Sequence, residues 1–229
     1  MRLFHGTSTK YLRRILECGL TPRIENGNDN WKDNPKIEPS KPFFIYLTKF
    51  WGYGLFYGDS ACGENEDEFP VIIEVDVDEK KLLCDEDTIK VGRQHIKGFN
   101  TDAEGSLHLL GNVAYDGSIP KEQFVRIYII LDKFYSLSFE KDGFNVLATF
   151  VEEGKRQQQK DADDWLLNEM IRRGGILVYL KPFDVEFARI IDKQGTLNRE
   201  LGSKYRFMAF PELFNIDGST KGDDKNGKQ

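Results

Sequence analysis

Cysteine is scarce and poorly spaced for chemistry. Cys18, Cys62 and Cys84 are the three in 229 residues, and no two form a Cys-x-x-Cys pair. An odd, scattered set argues against a disulfide frame or a zinc site and fits reduced thiols in a cytosol. Histidine is equally rare, and no pair of His, Cys or Asp has metal-ligand spacing, so no metal is expected. Long apolar runs are missing too. No stretch of about 18 residues is apolar throughout, which excludes a membrane-spanning helix. The N-terminus turns polar after Leu3-Phe4, so no secretory signal is expected and the chain reads as cytoplasmic. Positive charge is not in excess: 32 Lys and Arg face 38 Asp and Glu, for a net charge of −6. That disfavours coating of DNA by a global basic field and leaves room for a local basic groove.

What the chain has is apolar material for one sizeable core, 39% hydrophobic and 13% aromatic, arranged in short periodic pieces. Leu3-Phe4-His5 reads as a strand. Ser8 or Thr9 is placed to cap a helix whose Tyr11, Leu12, Ile15 and Leu16 share one face, and Gly19 stands where its C-cap needs positive φ. Residues 26–41 read as a loop, Phe43 to Thr48 as a buried strand, and Lys49 to Cys62 as a turn entering a helix. Val71, Ile73, Val75 and Val77 alternate on one face of the clearest strand. Leu82 to Cys84 reads as a short strand before Asp85-Glu86-Asp87, which should cap a turn. Residues 89–110 look irregular. Strands follow at Asn112 to Tyr115 and Val125 to Leu131. A charged segment then leads to an amphipathic helix carrying Trp165, Leu166 and Met170, with Trp165 expected in the core. Ile176 to Leu180 is a last strand, and the polar tail from Asp217 reads as disordered. Short strands with few helices predict an α+β sheet core, not a doubly wound parallel sheet.

Three short motifs carry chemistry. In Phe4-His5-Gly6-Thr7, a histidine at a strand end can donate a hydrogen bond to a ribose hydroxyl. The glycine lets backbone N–H and C=O approach a planar carboxamide closely. Tyr46-Leu47-Thr48, with Tyr57 eleven residues after Tyr46, offers two rings whose π faces attract a flat pyridinium cation. An isolated tyrosine pair is more often plain core. Ser106-Leu107 and then Gly111-Asn112-Val113-Ala114-Tyr115-Asp116-Gly117-Ser118-Ile119-Pro120 make a strand, a tight turn and an Ile-Pro exit, which places one side chain at the strand mouth.

Taken in order over residues 3–131, these motifs resemble the ADP-ribosyltransferase superfamily. The likeness is to the branch with His and Tyr in its first two motifs, which includes poly(ADP-ribose) polymerases and many bacterial and phage toxins. The segment from Val71 to Asp87 is similar to its central strand and acidic turn. The resemblance implies a split antiparallel or mixed β-sheet with peripheral helices, an NAD-binding core over residues 1–133, a C-terminal extension packed on it over 134–216, and the tail 217–229. It implies NAD as substrate, with His5 on a ribose, Gly6 on the nicotinamide amide, Tyr46 and Tyr57 flanking the nicotinamide ring, and Thr7 and Thr48 lining the pocket. His5, Tyr46 and Asn112 are then the catalytic set.

Asn112 departs from the family's pattern, in which a glutamate stands seven residues before the Ile of Ile-Pro; aligning on Tyr115-Asp116 gives Gly111, also not acidic. Loss of nicotinamide passes through an oxocarbenium-like state. A carboxylate there stabilises the charge and helps deprotonate an acceptor, whereas asparagine orients a hydroxyl but is no base. Three explanations stand, in this order: a strong or substrate-assisted nucleophile, a carboxylate from elsewhere such as Glu104 or Asp116, or binding without turnover. The resemblance also implies that the loop before the third motif meets the acceptor. Here it carries Arg93, His95 and Phe99 before Ser106, a mixture suited to stacking on and bonding an RNA or single-stranded DNA base. The expectation is a toxin-like transferase acting on nucleic acid or protein, held in check by an antitoxin protein. The alternatives are a non-catalytic NAD or ADP-ribose module, or an NAD-dependent RNA 2′-phosphotransferase.

Overall fold

The structure is a computed structural model that describes residues 1–26, 41–63, 67–86, 102–131, 163–168, 170–171, 176–180, 183 and 185. Its strands are β1 (Arg2–Ser8), β2 (Phe44–Thr48), β3 (Pro70–Asp76), β4 (Leu82–Cys84), β5 (Asn112–Asp116), β6 (Phe124–Ile130) and β7 (Ile176–Leu180). Its helices are α1 (Thr9–Cys18), α2 (Arg23–Asn26), α3 (Trp51–Cys62) and α4 (Ala103–Leu109), and residues 163–168 and 170–171 are also helical. The seven strands form one sheet in the order β4-β5-β2-β1-β3-β6-β7, with every neighbouring pair antiparallel. The expected α+β class is what is found.

Strand alternation divides the core into two layers. Leu3, Ile73 and Val75 face α1 and pack with Leu12, Leu16, Val113 and Ile127. On the other face Ile72, Tyr128 and Val178 pack with Trp51 and Leu55 of α3 and with Leu166, Met170 and Ile171. β3 is therefore buried on both sides from Pro70 to Val75, not on one alone. Its Glu74 is buried and accepts from the Tyr128 hydroxyl at 3.1 Å, with Arg2 and Arg126 as its ion partners. A carboxylate at that depth persists because its lone pairs are met.

Several local expectations are corrected. Gly19 does close α1 at φ 81°, giving its N–H to Ile15. Neither Ser8 nor Thr9 caps the helix with its side chain: Ser8 Oγ donates to Glu68 at 2.9 Å and Thr9 Oγ1 accepts from Phe69 N at 3.1 Å. The two hydroxyls tie the end of β1 and the start of α1 to the chain entering β3. The irregular stretch before the third motif holds a helix, α4, whose start is capped by Asp102 accepting from Gly105 N at 2.7 Å. Trp165 is not in the core. It is 46% exposed, and Leu166 and Met170 fill that place. The tail from Asp217 lies outside the described residues.

Candidate active site

β1 and β2 are adjacent but share one paired position, Phe4 with Thr48, while β2 pairs with β5 over its whole length. Beyond Phe4 the two strands part. His5, Gly6 and Thr7 line one side of the opening and Phe44, Ile45 and Tyr46 the other, around a cleft of about 120 Å³. α1 and the segment after it add Arg14 and Arg23 to the lining. Sequence patterning singled out neither, because a charged residue on an amphipathic helix reads as a solvated face.

His5 Nδ1 lies 3.0 Å from the Tyr46 carbonyl oxygen. A carbonyl only accepts, so Nδ1 carries the proton. Burial lowers the pKa of the ring, against the opposing effect of this backbone bond. A neutral ring protonated on Nδ1 leaves Nε2 as an acceptor. That nitrogen can accept a hydrogen bond but not donate one, whereas the sequence reading gave the ring a donor role. Tyr46 is held at its far end, its hydroxyl accepting from Lys41 N at 2.9 Å.

Gly6 has a packing reason as well as the one expected of it. A Cβ there would stand 2.2 Å from Gly54 O, 2.6 Å from Gly58 N and 2.7 Å from Tyr57 Cβ, all on α3. The helix backbone lies directly on β1, and this close approach seats Tyr57 beside the His5-Gly6 segment. The Tyr57 hydroxyl accepts from Asn112 Nδ2 at 3.0 Å. Its phenol is pushed up to about 12, by burial first and then by the charge of Asp85, against the bond from Asn112. Asn112 is 4% exposed, and its Oδ1 is buried with no hydrogen-bond partner among the described residues. Whichever way the amide is turned, its bond to Tyr57 leaves another polar atom over.

Tyr57, Asn112, Thr48 and Ser106 are not among the residues that line the cleft, and the last two serve as braces. Thr48 is 1% exposed; its hydroxyl donates to Gly111 O at 3.1 Å and accepts from Phe50 N at 3.2 Å. Ser106 is fully buried, and its hydroxyl accepts from Asp85 N at 3.2 Å and donates to Asn112 O at 2.7 Å. An acceptor molecule has no access to that oxygen. Arg93, His95 and Phe99 lie outside the described residues. Of the carboxylates expected to stand in for the missing glutamate, Asp116 is exposed at the far end of β5, about 13 Å from Asn112 at four strand steps, and Glu104 is exposed on α4. Asp85, expected to cap a turn, follows directly on β4 and is buried. Among the described residues no group of three or more His, Cys, Asp or Glu gathers to hold a metal, and no helix is long and apolar enough to cross a membrane.

No protein-family model and no curated protein matches the chain. Solved structures do match. One of them, a chain described as "EcPltA", is 11% identical with a TM-score of 0.36, and the match covers 59% of this chain and 79% of that one.

Proposed function

We propose that this protein is an NAD-dependent ADP-ribosyltransferase that breaks the bond between nicotinamide and ribose and passes ADP-ribose to an acceptor inside the cell. The observation that carries this is the parting of β1 and β2 with His5 and Tyr46 bonded across it, while Tyr57 is docked beside it and tied to Asn112. In this reading Tyr46 and Tyr57 flank the nicotinamide, since phenol π faces favour its cationic ring. The Gly6 backbone meets the carboxamide, and His5 Nε2 receives a ribose hydroxyl. Thr7 lines the same opening. Arg14 and Arg23 suit the diphosphate, since guanidinium forks match phosphate oxygens. Nicotinamide departs with the electron pair of the glycosidic bond. The acceptor nucleophile then bonds the anomeric carbon and releases its proton. Asn112 Oδ1, buried without a hydrogen-bond partner among the described residues, is suited to hold a ribose hydroxyl during that step. A nucleic-acid base is the favoured acceptor and a protein the next. A toxin-like, cytoplasmic setting with an antitoxin partner belongs to this reading by analogy.

A second reading, a module that binds NAD without turning it over, is favoured by one observation: position 112 holds an amide that cannot act as a base. Labelled NAD⁺ incubated with total RNA, single-stranded DNA and lysate protein separates the two. Label on any of the three, with free nicotinamide, supports the transferase. Tight binding with no nicotinamide released supports the module.

A further inference from the structure

We infer that Asp163 is a positioning residue of the candidate site: it caps α3 from a distant part of the chain and so sets Tyr57 beside the His5-Gly6 segment. The inference rests on the reading of this site as one that binds NAD.

α3 begins without a cap of its own. Its N-cap residue is Phe50, whose side chain makes no capping bond and has no group to accept one. The first N–H groups of a helix have no partner within it. Those of Trp51 and Gly52 are met by the Asp163 carboxylate, which accepts from Trp51 N and, at 2.7 Å, from Gly52 N. The acceptor stands 112 and 111 residues further along the chain. Its seat is close. A Cβ on Gly52 would stand 2.6 Å from Asp163 Oδ1, so a side chain there would displace the carboxylate.

α3 depends on such an anchor. Gly52, Gly54 and Gly58 all lie within it, and glycine is the weakest helix former after proline. Gly54 and Gly58 turn toward the sheet, where Cβ atoms would stand 2.9 Å from Ile72 Cγ2 and 3.0 Å from Thr7 O. Helices lock to their neighbours through side-chain ridges seated in grooves. A glycine face has no ridge. It brings the helix close to β1 and leaves its place along its own axis to be set elsewhere. The two Asp163 bonds hold the first turn along that axis, and Tyr57 follows Gly52 by five residues, about 7.5 Å along the helix. Tyr53, between them in sequence, has its phenol pushed up by burial first and then by Tyr57 and Asp163, so it lies near both. Leu166, Met170 and Ile171 pack with Trp51 and Leu55, so the same distant segment holds this turn by packing as well as by bonds. Asp163 acts through α3. What it sets is where the helix carries the Tyr57 hydroxyl that Asn112 bonds at 3.0 Å.

The test uses the full chain with Asp163→Ala and Asp163→Asn. Ile127→Val, in the core layer that faces α1, is the control for lost stability alone. Each is measured well below its melting temperature. Asp163→Ala is expected to shift the carbon-13 signal of the Tyr57 ring carbon that bears the hydroxyl, and to leave that of Tyr179 in place. NAD⁺ affinity by calorimetry is expected to fall about tenfold, while affinity for ADP-ribose, which lacks the nicotinamide, stays within about twofold. Asp163→Asn keeps the shape and one accepting oxygen and is expected to recover part of both effects. Should Asp163→Ala not fold, the same shifts, smaller, are read in Asp163→Asn. Ile127→Val is expected to lose stability and to change neither readout. An unmoved Tyr57 signal, NAD⁺ and ADP-ribose weakened alike, no recovery in Asp163→Asn, or the same changes in Ile127→Val each overturns the inference. Wild-type protein that does not bind NAD⁺ sinks the reading of the site instead. The Tyr57 signal then still decides whether Asp163 sets that ring.

Discussion

His5 gives its Nδ1 proton to the carbonyl of Tyr46 across 3.0 Å, and that one bond spans the strands where the sheet opens. It fixes the ring's orientation and leaves Nε2 as an acceptor. His5→Ala and Tyr46→Ala are each expected to abolish NAD⁺ turnover, measured as nicotinamide release. Burial lowers the His5 pKa from its ordinary 6.5, so the ring is neutral at pH 7. Turnover is expected to fall as pH drops through the lowered value, because protonation removes the acceptor. The stability contribution has the same sign. It is complete above 6.5 and is lost as pH falls from there toward the folded-state pKa, because the unfolded chain takes up the proton first. Wild-type turnover in either alanine variant would count decisively against the site.

Gly6→Ala tests the seating of Tyr57. The added methyl meets the α3 backbone at 2.2 and 2.6 Å, and backbone cannot swing aside as a flexible side chain does. Overpacking of this kind costs about 1–3 kcal/mol. Urea denaturation is expected to show that loss, and NAD⁺ affinity should fall with it as Tyr57 is pushed from Asn112. Full stability in the variant would mean that α3 does not lie on β1 as described.

Ser106→Ala separates a brace from an acceptor contact. It leaves the buried Asp85 N–H and Asn112 C=O without the hydroxyl that joins them, at a cost of about 1–3 kcal/mol. Stability by denaturant titration is expected to drop accordingly. A variant as stable as wild type but altered in acceptor choice would restore Ser106 to the acceptor surface.

Asp163 offers a pH test of how the helical residues 163–168 and 170–171 hold the core. Its carboxylate accepts from Trp51 N and, at 2.7 Å, from Gly52 N, both in the first turn of α3. Burial, aided by Asp164, raises its pKa from 3.8 to about 7 against those two bonds. The folded state therefore binds this proton more tightly than the unfolded state, and stability from this group declines as pH rises from about 4 to about 7. Asp163→Ala removes the cap, at about 1–2 kcal/mol. The gap in melting temperature between wild type and variant is expected to be widest near pH 4 and to narrow toward pH 8. A gap that stays constant with pH refutes the raised pKa.

Much of the frame was legible in the chain. The alternation of Val71 to Val77, the helical spacing of Leu12, Ile15 and Leu16, and Gly19 at positive φ are local properties, set by pleat, turn period and the missing Cβ of glycine. They gave the strands and helices of an α+β sheet, while the candidates His5, Tyr46, Tyr57 and Asn112 came from three short motifs and the resemblance those motifs carry. Strand order and register were not legible, because they depend on which distant surfaces bury each other. Only the folded sheet parted β1 from β2 and faced His5 toward the Tyr46 carbonyl. It also buried Thr48 and Ser106 as braces and buried Asp85 with its N–H on the Ser106 hydroxyl. A side chain's type is written in the sequence. Whether it holds a ligand or holds its neighbours was decided by burial and by the partners that burial supplied.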